Sequence, residues 1–167
     1  ALERSHCPQC KNKLLAYHNI PVLGFLFLKG KCAFCKKPIS FRYPLVELFT
    51  AFLTVFAAYK YGVSLQFVAV ALLIWFLIVI ALIDLDTFLI PDQLSLTLLW
   101  LGLFFSLFGF SIAPSVAIIG ALTGYLSLWL LFHLFKLITG KEGMGYGDFK
   151  LLGAGGAWLG YEPLIMV

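Results

Sequence analysis

Charge is scarce in this sequence: twelve Lys and Arg and eight Asp and Glu make up 12% of 167 residues, against 62% hydrophobic residues and a mean hydropathy of +0.98. That shortage excludes an ordinary soluble domain, in which about a quarter of the residues are charged. The chain is read as an integral membrane protein. Acids are missing from the middle of the long apolar runs, which argues against a proton-coupled transporter, since such proteins keep ionisable groups inside their spans. The chain opens on Ala1 without Met and stops at Val167 inside an apolar run, so it is read as a fragment of a longer chain. The absence of a signal peptide therefore excludes nothing.

The few charges are unevenly spread. The formal charge is +4, yet eight of the twelve Lys and Arg lie within residues 1–42, ahead of the first long apolar segment. That is the layout of a cytoplasmic membrane-flanking region and not of a nucleic-acid surface, and no nucleic-acid partner is expected. A domain boundary follows, with a polar region over 1–42 and a membrane helical bundle over 43–167. A helix crossing the hydrocarbon core needs ~20 mostly apolar residues. Five stretches are candidates: about 44–61, 65–83, 94–111, 114–138 and 151–167. The expected fold class is an all-α integral membrane protein, a polytopic helical bundle.

Orientation follows from parity. With the Lys-rich region inside, the first segment exits and the second returns to bring Asp84 through Asp92 to the cytoplasmic side; the third exits and the fourth returns. Lys136, Lys141, Asp148 and Lys150 are then also inside, while Lys60 is the cation of the outer loops, in keeping with the positive-inside bias. Asp84 and Asp148 thus stand at the ends of two apolar stretches and face one compartment. A carboxylate at a membrane boundary is costly unless solvated, paired or used. Two of them on one side suggest aspartyl hydrolysis.

Asp84 competes with Asp86 for the first position. Asp84 directly follows Ile80-Ala81-Leu82-Ile83, where desolvation perturbs a carboxyl, and is preferred on that ground; the bland alternative is that both end a helix. Ile90-Pro91-Asp92 reads as a helix start, which makes Asp92 a cap or dipole partner. Gly143, Gly145 and Gly147 alternate before Asp148, so that a peptide substrate or partner helix can approach the backbone closely at Gly145 and Gly147. The alternatives are a plain flexible connection or a phosphate loop, and the latter lacks the Gly-Lys-Ser/Thr ending that nucleotides require. Lys141 and Lys150 are read as anchors to anionic lipid.

The four cysteines form two pairs, Cys7-Pro8-Gln9-Cys10 and Cys32-Ala33-Phe34-Cys35, separated by 21 residues. Two such knuckles suit a structural Zn2+ with four sulfur ligands, favoured here by Lys11, Lys31 and Lys36. The rival readings are two disulfides, a redox relay as in a membrane thiol-disulfide oxidoreductase, or free thiols. His6 and His18 are read as ordinary hydrogen-bonding histidines.

The ordered set of the two Cys-x-x-Cys pairs, Ser40-Phe41-Arg42-Tyr43-Pro44-Leu45-Val46-Glu47, Asp84 with Ile90-Pro91-Asp92, and Glu142-Gly143-Met144-Gly145-Tyr146-Gly147-Asp148-Phe149-Lys150 resembles the bacterial type IV prepilin peptidases. The resemblance covers nearly the whole chain and implies Asp84, by register with the Ile-Pro pair, and Asp148 of Gly-x-Gly-Asp as catalytic aspartates. It further implies cleavage of type IV prepilin and type II secretion pseudopilin leaders after a glycine, on the cytoplasmic face of the bacterial inner membrane. N-methylation of the new N-terminal residue from S-adenosylmethionine is implied for the full-length enzyme. Glu47 and Lys29 to Lys31 are candidate contributors to that second activity.

Overall fold

A computed structural model describes residues 6–7, 9–141 and 144–166; Ala1, Pro8 of the first knuckle, Glu142 and Gly143 of the glycine-rich motif, and Val167 lie outside the described residues. Among the described residues the regular structure is helical, with two isolated bridges, His6 to Lys13 and Lys31 to Pro38, and no strand. The chain forms two compact units, Ala1–Phe56 and Ala57–Val167.

In the first unit the two cysteine knuckles repeat one backbone plan. Cys7 N donates to Asn12 O and Lys11 N to Cys7 O; twenty-five residues on, Cys32 N donates to Lys37 O and Lys36 N to Cys32 O. Lys11 and Lys36, the residues that follow each second cysteine, both take a left-handed conformation, with φ of 56° and 59°. Between the knuckles lies a short helix, α1 (Leu23–Phe27), closed by Gly30 at φ 68° with the Phe25 ring against it. Helix α2 (Arg42–Tyr61) starts after Ser40, whose Oγ accepts from Arg42 N, and carries Pro44 in its first turn, where a missing N–H costs nothing.

The second unit is built on α3 (Leu65–Thr87), α4 (Asp92–Leu107), α5 (Pro114–Thr139) and α6 (Tyr146–Leu159). Ser64 Oγ caps α3 by accepting from Phe67 N, and Phe88 ends it in a left-handed turn, donating to Asp84 O at 2.7 Å. Pro114 opens α5 at its first position and Gly140, at φ 68°, closes it. Helix α6 packs on both α4 and α5. Its contact with α5 is backbone against backbone: a Cβ on Gly120 would lie 2.3 Å from Gly156 O, and one on Gly156 would lie 2.0 Å from Gly120 O. On the α4 side the Trp158 ring lies over Gly102 and its indole N–H donates to Leu98 O at 2.8 Å. Ala69, Ile80, Leu98, Phe105, Ala154 and Trp158 form the core between α3, α4 and α6.

Helices α3 and α5 are long and apolar enough to cross a bilayer, and only 17% and 22% of their apolar stretches are buried inside the protein. A soluble core helix would be mostly covered; here the uncovered side is Trp75, Leu77, Val79, Leu122, Leu126 and Leu130, a surface suited to lipid. This is a membrane protein. The third and fifth expected stretches are realised as helices shorter than their apolar runs. The third stretch stops at Leu107, ahead of Gly109 at φ 74°, and the fifth is the 14-residue α6. At 1.5 Å per residue, α4 and α6 rise about 24 and 21 Å. The second stretch runs to Thr87, so Asp84 and Asp86 belong to the last turn of α3.

Candidate active site and metal centre

Asp84 is half-buried on the closing turn of α3, whereas Asp86 is exposed. Two residues along an α-helix rotate a side chain through about 200°, so the two acids leave the helix on different sides. Asp148 is half-buried at the third position of α6, and its Oδ2 accepts from Gly145 N at 3.2 Å. This is one half of a capping box, the half that needs an acidic side chain. Phe149 follows and is fully buried, its ring 5.5 Å from Phe132, 5.7 Å from Tyr146 and 6.2 Å from Tyr125. That aromatic anchor turns the first turn of α6 inward on the Phe149 side and fixes the rotation of the helix that carries Asp148.

The segment after Asp84 meets the start of α6. A Cβ on Gly147 would lie 2.8 Å from Ile90 Cβ and 3.1 Å from Ile90 O, so the glycine admits Ile90 against the α6 backbone. Beside this contact Lys150 Nζ donates to Asp92 Oδ2 at 2.6 Å. The α3–α4 junction and the Gly-x-Gly-Asp turn therefore share one end of the second unit. Gly145 is different from Gly147: the nearest atom to an added Cβ is Asp148 Oδ2 at 3.6 Å, which leaves its flank open.

The Lys150–Asp92 pair gives Lys150 a protein partner beside the expected lipid one and enlarges the reading of Asp92, which occupies the first position of α4 and holds a partner 58 residues away. Nothing local in the sequence signals a pair so distant. Removal of either partner is expected to loosen the joint between the α4 start and α6. In thermal unfolding in detergent, Lys150→Ala or Asp92→Ala should lower stability by about 1 kcal/mol or less, since both partners are partly open to solvent. The exchange of both residues, Asp92→Lys with Lys150→Asp, should recover most of that loss; an exchange no better than the single changes would show that the pair does not hold the joint.

In the first unit the sulfurs of Cys7, Cys10, Cys32 and Cys35 all lie within 4.8 Å of one another, with Cys7 Sγ and Cys35 Sγ 4.0 Å apart. Four ligands at ~2.3 Å on a tetrahedron are separated by ~3.8 Å, so the cluster fits a four-coordinate metal ion. All four thiols are free, and they converge on one point instead of forming two separate pairs, so the oxidoreductase alternative finds no support. Lys37 Nζ donates to Gln9 Oε1 and ties one knuckle to the other.

Backbone amides, more than the neighbouring lysines, tune these thiols. The N–H groups of Cys35 and Phe34 pull Cys32 down to about 6, and those of Cys10 and Gln9 lower Cys7. At Cys10 the Asn12 N–H favours the thiolate, but desolvation and the sulfurs of Cys7, Cys35 and Cys32 outweigh it and push the thiol up to about 11. Crowded thiols cannot all ionise without a cation among them.

Comparison with known proteins agrees with this division. Residues 1–61 match the model of the bacterial peptidase A24 N-terminal domain, and residues 71–167 match that of the type IV leader peptidase family. Proteins called prepilin leader peptidase/N-methyltransferase are 54% identical in Aeromonas hydrophila and 52% identical in Pseudomonas aeruginosa, over 98% of this chain and 57% and 56% of theirs. One from Klebsiella pneumoniae is 48% identical over 96% of this chain and 70% of its own. The chain thus spans a little over half the length of the Aeromonas and Pseudomonas relatives. No solved structure matches it. With a helical membrane unit that carries a Gly-x-Gly-Asp turn at the start of α6, a four-cysteine unit ahead of it in sequence and close relatives across its length, the chain belongs to the type IV leader peptidase family.

Proposed function

We propose that this chain carries the peptidase centre of a membrane aspartic endopeptidase that removes the leaders of type IV prepilins and type II secretion pseudopilins after Gly. It acts at the cytoplasmic face of the bacterial inner membrane. The observation that carries the reading is the contact of Gly147 with Ile90, which joins the turn bearing Asp148 to the segment that follows Asp84. In the full-length protein the same chain methylates the new N-terminal amine, as the second half of its relatives' name suggests. Residues 1–42 are the metal-binding region and 43–167 the bundle.

Asp84 and Asp148 are the reacting carboxyls. Two carboxyls placed to share one proton provide a base and an acid together. The ionised partner takes a proton from water as the water oxygen bonds to the scissile carbonyl carbon, and the protonated partner gives its proton to the carbonyl oxygen. Collapse of the tetrahedral species breaks the C–N bond, and the leaving amine takes up a proton. Gly145, with an open flank beside Asp148, is the residue along which the substrate backbone runs; Gly147 serves the same end by letting Ile90 close the site. Incubation of a prepilin with the full-length protein and S-adenosylmethionine, followed by mass spectrometry, tests both activities. The expected product is the mature chain cut after Gly with one added methyl. Recovery of intact prepilin would overturn the reading.

The four cysteines hold a structural Zn2+. Metal uptake must displace the Cys10 proton at any pH below about 11, so affinity falls as pH falls. A second proton competes once pH drops through about 6, where Cys32 takes one up. A chelator competition series is expected to show affinity decreasing toward acid and more steeply below pH 6. An affinity flat from pH 8 to 5 would exclude thiolate ligation.

A further inference from the structure

We propose that the first unit docks on the surface of the bilayer through α1, with Leu23, Leu26 and Phe27 set into the acyl-chain boundary and Lys29 and Lys31 against anionic headgroups. The occupant of this face is a lipid surface, and the inference is independent of the chemistry proposed above.

The run Leu23-Gly24-Phe25-Leu26-Phe27 gives α1 no polar side, so packing alone decides what it covers. Successive residues turn by about 100°, which puts Leu23, Leu26 and Phe27 within one ~100° arc and Gly24, Phe25 and Leu28 within another. The second arc faces inward. Gly24, Phe25 and Leu28 line a cavity of about 490 Å³ together with Glu47, and the Phe25 ring meets Phe41 edge-on at 5.8 Å. Leu23, Leu26 and Phe27 are not among the walls of that cavity. They are 49%, 61% and 78% exposed, so three large apolar side chains project from one side of a short helix.

This projection is tied down at its base. Ahead of α1, Val22 N donates to Glu47 Oε2 at 2.6 Å; behind it, Gly30 N donates to Phe25 O at 2.9 Å and Ile39 N to Gly30 O at 2.7 Å. An apolar surface held in place yet left uncovered marks a contact site. Lys29 at φ 50° and Gly30 at φ 68° then turn the chain, and Lys29 and Lys31, both exposed, follow directly on the apolar residues. Among the described residues Glu47 is the one carboxylate of this unit, and it is half-buried with its Oε2 on Val22 N, so no acid offsets the two lysines at the surface. The knuckles carry Lys11, Lys36 and Lys37 of their own to offset the charge of metal-bound thiolates.

A bilayer surface fits an apolar tip bordered by cations. The tip enters the boundary of the acyl chains, while the lysines reach phosphates with their stems laid along apolar surface. A protein partner would have to place acids opposite both lysines, and lysine is depleted from protein interfaces; headgroups meet the two charges in any rotation about the membrane normal. Lipid is also close along the chain. The unit runs through α2 to Phe56, and α3, long and apolar enough to cross the bilayer, starts at Leu65. Docking is therefore intramolecular, and three side chains with two charges, too weak a signal for a free protein, suffice for a tethered one. The contact confines the four-cysteine unit to the bilayer surface, where a covalent link alone would leave it free to turn.

The test uses the full-length wild type in vesicles of phosphatidylethanolamine and phosphatidylglycerol, doped with a phospholipid that carries a photoreactive diazirine on an acyl chain. After irradiation, peptide mass spectrometry is expected to find lipid adducts on α1 as well as on α3 and α5, whose labelling shows that the probe reached the protein. Labelled α3 and α5 beside an unlabelled α1 overturn the proposal, and this readout needs no variant. Lys29→Gln with Lys31→Gln should cut the α1 adducts at least about threefold relative to those on α3, and vesicles of phosphatidylcholine alone should do the same. Undiminished labelling in both overturns the headgroup contact. A benzophenone amino acid in place of Phe27 then identifies the occupant by the mass of its cross-link. A phospholipid adduct supports the proposal; a peptide from a second copy, or from elsewhere in the full-length chain, overturns it and assigns the face to a protein interface.

Discussion

Asp148→Asn is expected to yield a folded protein that no longer cleaves prepilin. Asparagine keeps the size of the side chain and an oxygen that can accept from Gly145 N, so the α6 cap survives while the ionisable group is gone. Under the proposed mechanism neither carboxyl substitutes for the other, and Asp84→Asn has the same result. Each is expected to cost at least about a thousandfold in kcat/KM, and the double variant should be little worse than either, because the two act as one unit. Asp86→Asn should retain most of the activity: Asp86 is exposed and leaves α3 on another side. Circular dichroism and retained zinc establish the fold of each variant. Cleavage above a few per cent of wild type in either single variant would remove that residue from the site, and loss confined to Asp86 would move the first acid there.

The second large effect falls on stability, at the crossing of α5 and α6. Gly156→Val puts a Cβ where Gly120 O stands 2.0 Å away, with further atoms beyond it. The obstacle is helix backbone, which cannot rotate aside as a side chain would. The helices must separate, and Gly124, whose own Cβ would lie 2.6 Å from Leu152 O, loses its contact too. The cost is about 3 kcal/mol, at the upper end for overpacking, because close backbone approach is what joins helices where lipid already satisfies their apolar side chains. Gly155→Ala, with nothing within 4 Å of the added carbon, serves as the control and should be neutral. Thermal unfolding in detergent is the measurement. Gly156→Val is expected to melt several degrees lower and to cleave slowly even when folded, since α6 carries Asp148 on its first turn. A variant as stable as wild type would mean that the crossing is not held by this contact.

The site was unevenly legible. Both proposed aspartates could be singled out in advance because each stands at one end of an apolar stretch, Asp84 at the close of one and Asp148 at the start of another, and hydropathy marks such stretches without reference to the fold. The cysteine cluster was legible for a similar reason: a metal knuckle is a local backbone motif, and its spacing is written within four residues. The pairing of Lys150 was not legible, because its partner Asp92 lies 58 residues away. The bounds expected for the third and fifth stretches also ran past the helices. Apolar composition ran through Gly109 and into the chain's end, whereas helix length is set by where a left-handed turn interrupts the hydrogen-bond ladder.

From the sequence alone came the membrane environment, the two knuckles, the preference for Asp84 over Asp86 and the family resemblance. All are properties of composition or short-range order, which survive without knowledge of what packs on what. Tertiary structure alone decided that Gly147 takes Ile90 against its backbone, that Lys150 reaches Asp92, that Gly120 meets Gly156, and that Glu47, which accepts from Val22 N, lines one cavity with His18, Cys7 and Cys32. These are contacts between residues 25 to 58 positions apart. Their specificity comes from shape and from the direction of single hydrogen bonds, and neither leaves a periodic trace along the chain.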